Sequence, residues 1–482
     1  MRNVIQFSLG VLLVLATAGL TGCADDDNSD AGPGPSSGTT LSALEVDEEV
    51  KLLLVPSSPQ SVAGTSLVYQ GDSITFATAP GALNLGEGYQ VTYRGERYTL
   101  FTTELPVLAI STTGAVDDTR KVGGFVKFYD DSAPPYEYAL GIEYRGGSSA
   151  THPKRSYSFE LRESPESDVE VDAALLAMRE DDDWILDGMY NEPNRLRDFT
   201  AHQLWLDLWL DNDLPAGARA GIQRQYCELF VNGSYRGVYY LGERIDRKQL
   251  QLTKHDGTLR GELYKGEEWE AAFRTVSAFD NNAGSWNGFE SVYPDEDGLR
   301  DWSSLHDHVG WIINSTAQDF ESQLAQRVDL DNAIDYFLFM NVLDAEDNWS
   351  KNLYTARVDQ SEPYFFVAWD LDGTAGVDWE GERRPVTTDI HTNGLYDRLL
   401  STASFRTALR QRWQALKDGQ LSVDALVARY ADNAERLERN GVYTRESLAG
   451  DVAQDYRADE LDYLRQSLAA RHNLLEDFIS GF

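Results

Sequence analysis

The segment from Asp347 to Asp372, DNWSKNLYTARVDQSEPYFFVAWDLD, constrains this chain more than any other stretch of it. Two β-type runs, Asn352–Val358 and Tyr364–Asp370, flank a turn at Asp359–Glu362 and predict an antiparallel hairpin. Facing residues in that hairpin have numbers summing to about 721. Asn352 then lies across from Trp369 and beside Asp370, with Asp347 five residues upstream and Asp372 just beyond the strand. An amide oxygen and a carboxylate so placed can share Mg²⁺, while Asp347 takes a proton from an attacking hydroxyl. Phosphoryl transfer requires that layout. A plainer reading uses the same residues. Asp and Asn gather in turns, and Asp-x-Asp after a strand can simply cap a loop.

Around this hairpin the pattern is mixed. At 482 residues the chain exceeds one small core, so a large domain with additions is expected. Residues 42–103 alternate short β-type runs (VKLLLV, SLVYQ, SITFAT, YQVTYRG, RYTLFTT) with turn signals and predict a small β-sandwich-like domain. From 104 to 482 the expectation is an α+β domain. LPVLAIST, GGFVKFYD, ALGIEYRGGSS and HPKRSYSFEL read as strands or lead into them. Arg224–Arg236 and Gly237–Arg244 read as a hairpin turning at Asn232-Gly233. Helical spacing marks Asn194–Leu210, Phe405–Leu416, Ser422–Asn440 and Asp459–Ile479, the last three forming a helical C-terminal subdomain.

The first residues read as a targeting segment. Arg2, the apolar run Val4–Leu20 and Leu20-Thr21-Gly22-Cys23 resemble a bacterial lipoprotein signal over 1–22, with Cys23 lipidated. An uncleaved membrane anchor is the alternative, although the run barely reaches spanning length. Residues 23–41, rich in Asp, Gly, Pro and Ser, predict a flexible tether. Ala24 after the cysteine favours the outer membrane or cell surface over inner-membrane retention.

Several chemistries are excluded or weakened. A net charge of −37, spread along the chain, argues against nucleic acid as a partner. Cys227 is the only cysteine besides Cys23, so no disulfide framework within the chain is expected, and Cys227 reads as an inert buried thiol. The chain carries no GxxxxGK[ST], GxGxxG, GxSxG or HExxH motif. His306 and His308 point different ways on a helix and support no zinc site. Asp181-Asp182-Asp183 reads as a solvated acidic turn.

A nucleotide needs cations on its phosphates. The candidates are Lys154 and Arg155, just after Arg145-Gly146-Gly147-Ser148-Ser149, a turn able to aim backbone N–H groups at phosphate. Lys351 and Lys265 are further candidates, Lys351 for the γ-phosphate and Lys265 for the phosphates or the adenine edge. Each can equally be a solvated surface charge.

With these blocks in view, the chain resembles the CotH family of atypical kinases from about Leu105 to the C-terminus. LPVLAIST, RGGSSATHPKRSYSFEL, VNGSYRGVYYLGERID, GELYKG, FESVYP, DNWSKN, VAWDLD and FRTALRQRW occur in the family's order. The resemblance implies a reduced kinase-like core, ATP with Mg²⁺ or Mn²⁺, and transfer of the γ-phosphoryl group to Ser or Thr of an extracytoplasmic protein. It implies Asp347 as the catalytic carboxylate, Asn352 and Asp370 as metal ligands with Asp372 beside them, and Lys154 on the phosphates. Glu243 would orient Lys154 as an ion-pair partner. His152 and Arg155 depart from the family pattern and leave open which basic side chain meets phosphate. Two other readings stand beside the kinase: a non-catalytic surface lipoprotein with the same fold, and a glycosidase using Asp344, Glu346 and Asp347.

Overall fold

The computed structural model describes residues 38–57, 61–62, 64–130, 134–208, 214–295, 299–386, 388–450 and 456–482. The expected signal segment 1–22, Cys23 and most of the 23–41 tether lie outside the described residues. Within the tether's last residues, Thr39–Thr40 forms a short strand parallel to Leu67–Val68. Among the described residues no helix is long and apolar enough to cross a membrane. The fold is α+β with a helical C-terminal region.

All five β-type runs of 42–103 become strands: Leu52–Pro56, Ser66–Tyr69, Asp72–Phe76, Tyr89–Tyr93 and Glu96–Thr103. With Thr39–Thr40 and Glu45–Asp47 they join in one seven-stranded sheet, where a small sandwich was expected. Alternation in DSITF and YQVTY buries one face, with Ile74, Phe76, Val91 and Tyr93 in its core. Leu52–Pro56 is apolar on both faces. Leu53 and Val55 enter that core, while Leu52 and Leu54 pack against Val107, Tyr129 and Phe230 of the next sheet. That double burial joins the two sheets.

Seven strands then close into a barrel: Val107–Thr112, Val122–Tyr129, Tyr136–Arg145, Ser156–Arg162, Asp183–Asp187, Arg224–Val231 and Ser234–Glu243. All pairs are antiparallel except Arg224–Val231 with Val107–Thr112. The Asn232-Gly233 turn forms as expected, both residues having positive φ (52° and 78°). Leu108, Val126, Leu140, Phe159, Leu186 and Leu241 help fill the interior. Cys227 sits among them, and burial pushes its thiol well up, so it is no nucleophile.

A second sheet carries the predicted hairpin. Its order is Ser285–Trp286, Phe289–Tyr293, Glu262–Gly266, Tyr354–Arg357 and Phe365–Val367. Tyr354 pairs with Val367, Thr355 with Phe366 and Ala356 with Phe365, the register read from the sequence. The helix Leu330–Val342, buried over nearly its whole circumference, packs on this sheet and on the helices Ala403–Leu416 and Glu460–Ser480. Side-chain caps mark some of the helix starts. Asp329 accepts from the Asn332 N–H and Ser422 from the Ala425 N–H. The helices Arg197–Leu208, Ala403–Leu416, Val423–Arg439 and Glu460–Ser480 fall within the four stretches marked by spacing, to a residue or two at most ends.

Candidate active site

The hairpin ladder stops short of Asn352 and Asp370 because both adopt left-handed backbone, with φ of 56° and 55°. Asn and Asp tolerate that region best among residues with a Cβ, and such strain gathers at functional sites. Backbone contacts hold this end. The Asn352 N–H donates to the Gly266 carbonyl at 2.9 Å, and the Gly266 N–H to the Leu353 carbonyl at 2.8 Å. A Cβ on Gly266 would meet the Ser350 carbonyl oxygen at 1.8 Å, so only glycine fits. The Asn348 amide donates to the Trp369 carbonyl at 2.6 Å, tying the 3-10 turn Asp347–Trp349 to the Asp370 strand. Tyr336, on the helix Leu330–Val342, donates to the Asn348 carbonyl at 2.6 Å and seats the turn from below. Asp347 is half-buried. Burial, then Glu346, raises its carboxyl against Lys351 and Arg384, which makes it a better proton acceptor.

Asp370 and Asp372 face a cavity of about 70 Å³ with Asp187, Glu192, Asp198 and Lys154. Asp370 is open to solvent on one side. The packed protein behind it, with Asp198 and Asp187, still pushes its carboxyl up to about 6, against Lys265 and Arg145. Asp372 is driven well above its ordinary range by burial and then by Asp370, Asp198 and Glu192. Among the described residues no ion pair reaches either group. Asp198 is the opposite case. Burial would raise it, but an ion pair with Arg224, the nearby His202 and the Tyr240 hydroxyl at 2.7 Å hold it well below the usual carboxylate range. It also accepts the Leu371 N–H at 2.8 Å, pinning the loop between the two free aspartates.

These raised carboxyls fit a divalent cation: oxygen donors lining one cavity, mutually repelling, with no ion pair to Asp370 or Asp372 among the described residues. Asn352 and Asp370 share the hairpin end, and Asp372 follows on the same loop.

The candidate cations separate. Lys154 and Arg155 have different surroundings. Arg155 stacks on the Tyr144 ring at 4.5 Å, away from the acidic cavity. Lys154 lines that cavity, but its ammonium is wholly buried, donating to the Val238 carbonyl and to Glu446, each at 2.6 Å. Burial and Arg195 bring it down to about 8 despite Glu446. The expected partner, Glu243, does not reach it. Glu243 accepts instead from Arg219 at 2.6 Å and from the Gln223 N–H at 2.8 Å. Gly237 permits the actual pairing: its φ is 86°, and a Cβ there would meet the Glu446 carboxylate at 2.3 Å. A glycine inside a strand pattern is the one sequence sign of that close approach.

Arg145 and Lys265 face a second cavity, about 320 Å³, together with Tyr354 and Trp369. Arg145 lies 5.7 Å from the Trp369 ring and Lys265 pairs with Glu267. Lys351 lies 5.8 Å over the exposed Trp269 ring. Ser148 begins a 3-10 turn, Ser148–Thr151.

Sequence reasoning missed Asp187, Glu192, Asp198 and Glu446, each placed by tertiary packing. The glycosidase arrangement does not form. Asp344 is fully buried against His391 at 2.8 Å and Arg471 at 3.3 Å, and exposed Glu346 pairs with Arg384. Nor is Asp181-Asp182 a solvated turn, because both are buried and bound by Lys248 and Arg179.

No curated protein matches this chain. A family model described as CotH kinase protein matches residues 142–475. The matched span runs from the third barrel strand through the hairpin and the C-terminal helices, leaving the N-terminal sheet and two barrel strands before it. The chain belongs to the CotH kinase family.

Proposed function

We propose that the protein is a surface-tethered kinase that transfers the γ-phosphoryl group of ATP to Ser or Thr hydroxyls of an extracytoplasmic protein. The observation that carries this reading is that Asp370 and Asp372 line one acidic cavity with no ion pair to either among the described residues, at the hairpin end where Asn352 and Asp370 both adopt left-handed backbone. Mg²⁺ or Mn²⁺ held there would neutralise the phosphates. Asp347 accepts the proton of the acceptor hydroxyl, aided by its raised basicity. The nucleotide lies across the 320 Å³ cavity, its phosphates met by Arg145 and Lys265 and its base near Trp369. Lys154 and Glu446 act from beneath as an internal pair. A lipid on Cys23 holds the chain to the bacterial envelope, at the outer membrane or cell surface.

The test is incubation with γ-labelled ATP and Mg²⁺ or Mn²⁺, beside the Asp370→Ala variant. Metal-dependent label on the protein or a generic acceptor, absent from the variant, is expected. Absence of both label and nucleotide binding would sink the kinase. The sequestered Lys154 ammonium favours a second reading, a binding lipoprotein that keeps the fold without turnover.

A further inference from the structure

A cavity of about 710 Å³ shares a wall with the acidic cleft. Asp198 faces the cleft, while its two partners Arg224 and His202 line the cavity. The volume suits a small organic ligand. Phe199, Leu206 and Ile222 supply an apolar side. Arg219 and Arg429 sit at the half-exposed rim, paired with Glu243 at 2.6 Å and with Asp207 at 2.5 Å. A guanidinium carries five N–H donors, so each keeps several for an incoming anion.

His202 is the second observation. It is 1% exposed, and its Nδ1 has no hydrogen-bond partner among the described residues. Its nearest polar neighbour is Asp198, with Nε2 3.5 Å from Oδ1. Burial, then Arg224, pushes the imidazole down to about 4, so it is neutral at pH 7 and keeps one donor and one acceptor. With Nε2 turned towards Asp198, the buried Nδ1 is left beside the cavity with no partner among the described residues.

We infer that this cavity binds a small amphipathic organic anion, with its apolar body on Phe199, Leu206 and Ile222 and its acid group at Arg219 and Arg429. Occupancy is coupled to the Asp370–Asp372 loop. A ligand touching His202 or Arg224 perturbs Asp198, whose other oxygen contacts include the Leu371 N–H between the two aspartates. Binding does not depend on the catalytic assignment, whereas the coupling rests on the metal reading of Asp370 and Asp372.

Decanoate titrated calorimetrically into the full-length protein in detergent tests the site, with decanol as the control lacking the anion. One saturable equivalent of decanoate is expected. Leu206→Trp, which fills the cavity, and Arg429→Gln, which removes a rim cation without touching the core, each weaken it by about tenfold. No decanoate binding, or equal binding in both variants, overturns the site. In parallel, Mn²⁺ is titrated by its paramagnetic resonance with and without decanoate. A change in affinity of about fivefold, lost in His202→Phe, is expected, and Mn²⁺ must change decanoate affinity by the same factor. Mn²⁺ binding indifferent to decanoate overturns the coupling. If Mn²⁺ never binds while decanoate does, the metal reading fails and the cavity site stands.

Discussion

Two acidic clusters in this molecule look alike in composition and differ in balance. Asp172, Asp181 and Asp182 bring carboxylate oxygens within 4.8 Å of one another. The Lys248 ammonium stands among them, 2.7 Å from Asp182, 3.2 Å from Asp172 and 3.3 Å from Asp181. Lys248 is held above its usual range by Asp182 and Asp172 in spite of burial. In the cleft, Asp187, Asp370 and Asp372 line one cavity, with no ion pair to Asp370 or Asp372 among the described residues. The first cluster holds its cation covalently, as a side chain. In the proposed site that place falls to a cation from solution. If the cleft holds the proposed metal, crowding of carboxylates is a poorer sign of a metal site than missing countercharge.

Four measurements break or sharpen this contrast. The largest effect is expected at the cleft: Asp370→Ala lowers phosphoryl transfer by about 10³-fold or more while the thermal unfolding midpoint stays near wild type. Next is the internal pair. Glu446→Ala strands the Lys154 ammonium, and chemical denaturation should show a loss of about 3–5 kcal/mol. Lys248→Met then removes the built-in cation. Because that side chain is 45% exposed, screening limits the loss to about 1–2 kcal/mol. The loss narrows below about pH 6, where Asp181, raised by burial to about 6, takes up a proton. The smallest effect has the opposite sign. In metal-free buffer Asp370→Asn is stabilising by about 1 kcal/mol at pH 7, after allowing for the group's exposure. The folded pKa of Asp370 lies above the ordinary 3.8. Its contribution to stability is thus complete below about pH 4 and lost as the pH rises through about 6, so the variant's advantage disappears in acid. Added Mn²⁺ should raise the wild-type midpoint and leave Asp370→Asn unmoved.

Local features were legible in the sequence. The hairpin's register followed from strand length and turn chemistry, and the Asn232-Gly233 turn from the need for positive φ. Helix spacing placed the C-terminal helices. Asp347, Asn352, Asp370 and Asp372 could be put forward from the sequence because one short segment carries them all. What failed depended on distant packing. Glu243 was matched to Lys154 by analogy, yet Arg219 and the Gln223 N–H claim it, and Glu446 arrives from a five-residue helix in the C-terminal region. Asp181 and Asp182 read as solvated because nothing near them in sequence foretells Lys248. A carboxylate's environment is set by whichever charges the fold brings to it, and periodicity is silent on that.

The Lys154–Glu446 pair also has a consequence in time. Glu446 follows Lys154 by 292 residues. At roughly 5–20 residues per second, a ribosome needs about 15 to 60 seconds to make the second partner after the first. Once the last barrel strand ends at Glu243, the barrel strands are complete in sequence well before Glu446 is made, yet they must either bury a lone ammonium or stay open. Synthesis of the last helices thus acts as a proofreading step. A chain that ends before Glu446 carries every residue of the cleft and still lacks the charge that lets the barrel's flank close.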